Sequence, residues 1–265
     1  MTTIDTTFRW LGGALHPLDD CDLAESTLAV ADSWLVTEGR ARALEAHRER
    51  FGQAVARLGG TISPDELELF WAQGLALIPR EGEWFPRAEL LERATGRELR
   101  FRVRPAPALQ TAVSLWTAPN DPRRTPAVKG PDIPALSRLR QNAQKAGATE
   151  AVILGENGTI VDGATTALLW WRSGTLIAPT SDLTRVASVT ARTIRMLAGA
   201  LGTPGSEERA RPSDLDGAEL WAVNALHGIR PATSWIDGPQ LAAPDAARLS
   251  AWRRRLEALR RPLPS

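Results

Sequence analysis

The chain has 265 residues, 43% of them hydrophobic, with 32 basic against 31 acidic side chains and a net charge of +1. The length favours two lobes over a single core. The charge balance excludes bulk electrostatic attraction as a reason to bind nucleic acid or a membrane. Cys21 is the only cysteine, which excludes an intrachain disulfide framework and a cysteine-based metal site, and His16, His47 and His227 are too scattered for a metal motif. MTTIDTTFRWLGGALHPLDD lacks a basic start followed by an apolar block. No apolar run approaches the roughly 20 residues needed to span a bilayer, so a cytoplasmic location is expected. Only Lys129 and Lys145 among the 32 basic residues are lysine. Arginine stays protonated, whereas a lysine amine can lose its proton and attack a carbonyl, so each retained lysine is either a chance survivor or a chemical group.

In chain order, TLAVADSW (27–34) reads as a strand, followed by a return in which Gly39 supplies the turn. LEAHRERFGQAVARLGG places Leu44, Phe51, Val55 and Leu58 at helical spacing and ends on Gly59–Gly60, a pair suited to a C-cap. SPDELELFWAQGLALIP is a second helix, with Ser63 as N-cap and Pro64 at the first helical position. ELRFRVRPAP alternates with period two and AVSLWTAP reads as a further strand. The proline-rich NDPRRTPAVKGPDIP is the expected inter-domain connection. A helix from about Ala135 to Ala146 follows, then AVILGENGTIVDG, a hairpin turning at Asn157–Gly158. TTALLWW and TLIAP form a second hairpin around Ser173–Gly174. SVTARTIRMLAGALG is a helix, ELWAVNAL a strand and DAARLSAWRRRLEAL an amphipathic helix. Asp162 stands between the apolar runs TIV and ALLWW, and is either a turn residue before Gly163 or an acid with something to touch.

The run KGPDIPALSRLRQNAQKAGATEAVILGENGTIVDGATTALLWWRSGTLIAPT resembles the central segment of the fold-type IV pyridoxal-phosphate enzymes, the group of branched-chain aminotransferases, D-amino acid aminotransferases and aminodeoxychorismate lyase. Lys129, the stretch Ala146–Ala151, Asn157–Gly158 and Asp162 fall into that group's register without a gap. LEAHRERF resembles its H-x-x-R-L helix, SVTARTIRMLAGALG its G-I-T-R helix and NALHGIRPATSWIDG its late strand and turn. The resemblance extends from about Cys21 to Gly238.

The resemblance implies a two-lobed α/β fold: an N-terminal α/β domain at 1–120, a linker carrying Lys129 at 121–134, and a C-terminal domain with a hairpin-rich sheet at 135–265. It implies pyridoxal 5'-phosphate as cofactor, with Lys129 as the catalytic amine and Asp162 opposite the pyridine nitrogen, where the family usually has glutamate. Arg50, Val189 and Thr190 then hold the phosphate, joined by backbone amides of Asn224 and Ala225. Besides Asp162, five positions depart from the pattern: Ser188 for glycine, Ala191 for arginine, Ala167 for asparagine, and Asp32–Ser33 for an E-T pair. The chain has no tyrosine, so Ser33, Arg102 and Arg104 are candidate substrate-binding residues, although alternating arginines also suit a solvated strand face. Chain length and NALHGIRP favour a lyase that eliminates pyruvate from 4-amino-4-deoxychorismate to give 4-aminobenzoate. The alternatives are an aminotransferase of the branched-chain or D-amino acid type, or a member that has lost catalysis. The expected partners are a small amine or amino acid substrate and a second copy in a homodimer, for which the ten tryptophans offer interface as well as core.

Overall fold

A computed structural model describes residues 5–18, 25–59 and 62–264; Cys21 and Gly60 lie outside the described residues. The chain has the mixed α/β character expected from its sequence and divides into two compact units. One comprises Met1–Ala108, Val128–Pro131 and Leu259–Ser265, the other Leu109–Ala127 and Asp132–Ala258. The stretch expected as a linker is thus shared: Lys129 belongs to the first unit, its flanks to the second.

In the first unit, β1 (Thr6–Leu11) and β2 (Ala14–Pro17) form a hairpin closed by Gly12 and Gly13, both at positive φ. That Gly–Gly pair is a hairpin signal the sequence reading passed over. β3 (Thr27–Ser33) leads through β4 (Val36–Thr37) and β5 (Arg40–Ala41) to helix α1 (Leu44–Arg57). Helix α2 (Pro64–Ala76) starts as expected, with the Ser63 hydroxyl accepting the Glu66 N–H at 3.1 Å. After β6 (Glu83–Trp84), β7 (Arg87–Arg93) and β8 (Gly96–Val103) complete a five-stranded antiparallel sheet of order β2-β1-β8-β7-β3. β7, with the sequence RAELLER, is made of good helix formers and still lies between β8 and β3. Burial of Ala88 and Leu90 outweighs local propensity there. The sheet and both helices enclose a core in which Trp34, Phe51, Phe70, Trp71 and Phe101 meet edge-on, tilted or stacked.

The second unit begins with β9 (Val113–Thr117) and α3 (Ile133–Lys145), then β10 (Glu150–Leu154) and β11 (Ile160–Gly163), the hairpin expected around Asn157–Gly158. β12 (Ala167–Arg172) and β13 (Thr175–Pro179) are joined through Ser173 and Gly174, both at positive φ. Helix α4 (Val189–Ala200), β14 (Gly205–Glu208), a short 3-10 turn, β15 (Glu219–Asn224), β16 (Gly228–Ile236) and α5 (Ala246–Glu257) follow. The eight strands are ordered β11-β10-β9-β16-β15-β12-β13-β14. The final strand, β17 (Arg261–Pro262), returns to the first unit and pairs with β5. Eight of the ten tryptophans are buried within the units, and Trp84 and Trp116 are half-buried. The aromatic supply therefore serves the cores.

Gly74 of α2 meets β8 where an added Cβ would collide with the fully buried Phe101 ring. Alanine is the better helix former by about 1 kcal/mol, but overpacking a core costs about 1–3 kcal/mol. Gly74→Ala is expected to lose about 1 kcal/mol or more in urea denaturation; an unchanged or higher midpoint would show that Phe101 has room to yield.

Candidate functional site

In the first unit, Lys129 is anchored by its main chain. β3 is the edge strand of its sheet, and the Ala31 N–H donates to the Lys129 carbonyl at 2.7 Å. The following residue, Gly130, has φ +141, and an added Cβ would lie 2.8 Å from the Ala31 nitrogen and 2.9 Å from Val30 backbone carbon. Only glycine allows this approach. One residue along β3, the Asp32 carboxylate is fully buried. It accepts from His47 Nδ1 at 2.7 Å and from Arg50 Nε and Nη2, each at 2.8 Å. Burial alone would raise the Asp32 pKa, but Arg50 and His47 more than offset this and hold the carboxylate well below the usual range. Burial pushes the His47 pKa down in spite of Asp32, and the ring's Nδ1 faces the carboxylate.

Of the other candidates in this unit, Ser33 is buried opposite Arg87 of β7. Arg102 donates Nε to Asp5 at 2.7 Å. Arg104 donates to the Phe85 carbonyl at 2.9 Å, with its guanidinium 5.1 Å from that ring's centre. Arg102 is thus committed to an ion pair, and Arg104 is partly withdrawn from water.

In the second unit, Asp162 lies within β11 opposite Ile153 of β10, with its side chain 13% exposed. Burial pushes its pKa up to about 7, against the lowering effect of Arg123 and Arg185. Arg123 Nη1 stops 3.9 Å from Asp162 Oδ2 because Asp121 already takes Nε at 2.9 Å and Nη2 at 2.8 Å. Arg185 is occupied differently. It donates to the carbonyls of Pro179, Thr180 and Leu183 at 2.7–3.0 Å and so fixes the loop that feeds α4.

That helix starts at Val189 and Thr190, both buried, with Ser188 as N-cap accepting the Ala191 N–H at 3.2 Å. The N–H groups of Val189 and Thr190 have no acceptor within the helix and carry its positive dipole end, a setting that favours an anion. Asn224, at the end of β15, accepts the His227 N–H at 2.8 Å and donates to the Thr165 carbonyl at 3.2 Å. This closes the turn that holds Ala225. A cavity of about 680 Å³ runs beside α4, between Ala191, Arg195 and Gly199 and the β13 residues Leu176 and Ala178. Arg195 is paired with Glu207 there and Arg185 with its carbonyls, which leaves the helix start as the better anion seat.

Lys129 and Arg50 both belong to the first unit, the one held at Ala31 and the other at Asp32 of β3. In the second, Asp162, the α4 start and the Asn224–Ala225 turn are each set by their own strand or helix. Three residues beside the candidates had no role assigned from the sequence: Asp32, noted as a departure, His47, matched only as part of the H-x-x-R-L helix, and Arg123. The signal for Arg123 was Asp121 two residues before it in a proline-rich turn. Among the described residues no group of three or more His, Cys, Asp or Glu is placed to hold a metal ion, and no helix is long and apolar enough to cross a membrane.

No curated protein sequence matches the chain. Solved structures share its fold at low identity. A fold IV transaminase, CpuTA1, from Curtobacterium pusillum is 18% identical with a TM-score of 0.81, over 96% of this chain and 97% of that one. The branched-chain aminotransferase of the archaeon Thermoproteus uzoniensis, with norvaline, is 17% identical with a TM-score of 0.80, over 98% and 100%. An aminotransferase from Brucella abortus bound to PLP is 16% identical with a TM-score of 0.75, over 94% and 98%. The family model described as amino-transferase class IV matches residues 29–235. The chain belongs to the class IV amino-transferases, a family of pyridoxal-phosphate-dependent enzymes.

Proposed function

We propose that the protein is a lyase of the aminodeoxychorismate lyase type, eliminating pyruvate from 4-amino-4-deoxychorismate to leave 4-aminobenzoate, and that it acts as a homodimer in the cytoplasm. The observation that carries the lyase reading is the short NALHGIRP turn, closed by Asn224 on His227 and tied to Thr165. A second reading, amine exchange between an amino acid and a keto acid, is favoured by the branched-chain aminotransferase structures that share the fold.

The donor set fits the cofactor. Lys129 is held by its carbonyl on β3, Arg50 is fixed by Asp32 of the same strand, α4 begins with N–H groups that have no acceptor within the helix, and the buried Asp162 has its pKa pushed up to about 7. Bound pyridoxal phosphate supplies the electron sink that stabilises a carbanion at the substrate carbon. In this reading Lys129 provides the amine for covalent attachment and, once released, moves a proton at Nζ. Arg50, Val189, Thr190, Asn224 and Ala225 hold the phosphate. Asp162 presents its carboxylate to the ring nitrogen. Ser33 and Arg104 are assigned to the substrate carboxylates, with Arg102 retained by Asp5.

A spectrum and one assay test the assignment. The purified protein is expected to be yellow, with Lys129→Ala colourless, and to release pyruvate from 4-amino-4-deoxychorismate without any amine acceptor. Turnover that requires a keto acid would replace the lyase by a transaminase, and a chain that takes up no pyridoxal phosphate would remove the enzyme reading. Light scattering that gives only the monomer mass at micromolar concentration would remove the homodimer.

Asp162 offers an independent check. An unfolded aspartate loses its proton near a pH of roughly 3.9, whereas in the fold Asp162 keeps it up to about 7. Between those values the folded state holds a proton that the unfolded state has released, so this group lowers stability as pH rises through that window. Cofactor-free Asp162→Asn should therefore gain on wild type by about 1–3 kcal/mol between acidic and alkaline buffers in denaturant titrations. The loaded variant should turn over at least about a hundredfold more slowly, because an amide offers the ring no full charge. A stability difference flat with pH, together with wild-type turnover, would reduce Asp162 to a structural residue.

A further inference from the structure

We propose that the Val30–Asp32 segment of β3 is a positioning template for the cofactor, which makes Asp32 and Gly130 positioning residues. The segment sets the lysine through its backbone and the phosphate arginine through its one carboxylate. The inference rests on the reading of Lys129 and Arg50 as cofactor ligands.

The edge of β3 accounts for the lysine. An edge strand exposes N–H groups with no ladder partner, and at Ala31 that group is taken by the Lys129 carbonyl. The close seat of Gly130 against Val30 and Ala31 completes the contact. A side chain at position 130 would push the Lys129 backbone off the strand, and with it the origin of the lysine side chain.

The next position accounts for the arginine. Val30 and Asp32 lie on the same face of β3, both buried toward the first unit's core. Asp32 meets α1 there and engages one edge of the Arg50 guanidinium through Nε and Nη2 while His47 covers the remaining approach. A bidentate pair of this kind fixes the plane of the fork as well as its place. The charges of the group matter as much as its geometry. The bidentate Asp32–Arg50 pair sums to zero charge. Arg50 consequently attracts an anion less by net charge than by holding its donors at a set angle. The two accounts predict opposite signs when the Asp32 charge is removed.

The test uses the full chain stripped of cofactor, titrated with pyridoxal 5'-phosphate and with unphosphorylated pyridoxal; the lysine adduct is trapped by borohydride and located by mass spectrometry. Asp32→Asn is expected to lower the preference for the phosphorylated compound by about tenfold or more, the scale of one oriented charge-assisted hydrogen bond, with the adduct still at Lys129. Gly130→Ala is expected to do the reverse, keeping the phosphate preference while trapping at Lys129 slows by about tenfold or more. A preference unchanged or increased in Asp32→Asn would overturn the template, since net charge would then govern. So would equal loss of both quantities in both variants, the mark of general loosening. Should Asp32→Asn fail to fold, Arg50→Lys keeps the charge and removes the fork; retention of the phosphate preference in that variant overturns the proposal. A wild type that binds neither compound, or forms its adduct away from Lys129, would instead sink the cofactor reading itself.

Discussion

A carboxylate taken out of water must find donors and counter-charge inside the protein, and the functional arrangement of this chain follows from how three of them meet that demand. Asp32 is satisfied in full, with an imidazole N–H and two guanidinium donors, and stays ionised. Glu150 is met by the N–H groups of Ala151 and Thr165 and the Thr165 hydroxyl, with Arg230 only at 3.8 Å, and its burial raises its pKa. Asp162 has a backbone donor at Gly163 and two arginines already committed elsewhere, and its pKa rises to about 7. The order of decreasing satisfaction runs Asp32, Glu150, Asp162, and the proposed function assigns chemistry only to the last. A complete network holds something still, whereas an acid left short of a counter-charge is poised to meet one on a ligand.

The near-absence of lysine has a matching physical basis. Guanidinium forks serve here as ties between backbone segments: Arg185 gathers three carbonyls ahead of α4, Arg253 joins Thr111 to Ile229, and Arg104 holds Phe85. An ammonium ion is a point charge and cannot reach two or three acceptors in a plane. Lysine then remains useful for a surface charge, as at the exposed Lys145 in the last turn of α3, or for an amine that must give up its proton. Lys129, by contrast, is half-buried and held through its own carbonyl, and the proposed function puts it in the second class.

The sequence was legible where local chemistry decides. The Ser63 cap with Pro64, the turns at Asn157–Gly158 and Ser173–Gly174, and the helix from Val189 all depend on residues within a few positions of one another. It was illegible where distant segments decide. RAELLER carries no strand signal, and its place in the sheet comes from β3 and β8 on either side. The partnership of Asp32 with His47 and Arg50 spans 15 and 18 residues, and no spacing rule links a strand acid to a helix begun after two short strands. Gly130 looks like any glycine in a proline-rich connection until β3 lies against it. Family resemblance supplied Lys129, Arg50 and Asp162 as positions; the bonds to Lys129 and Arg50 and the charges around Asp162 came only with the fold.

The departures from the family pattern can be weighed on the same footing. Serine in place of glycine before α4 is compatible with the proposed anion seat, because the Ser188 hydroxyl takes the Ala191 N–H and not the N–H groups of Val189 and Thr190. Aspartate in place of glutamate is a larger change, since the carboxylate ends about one methylene nearer its own strand. Arg123 sets the consequence. Held by Asp121, it stays at 3.9 Å from Asp162, close enough to lower that acid's proton affinity and too far to hydrogen-bond it into silence. A direct pair would have fixed the acid as an anion at every pH near neutrality, as Arg50 does for Asp32. With the arginine one step back, burial outweighs it and the acid's pKa stands at about 7.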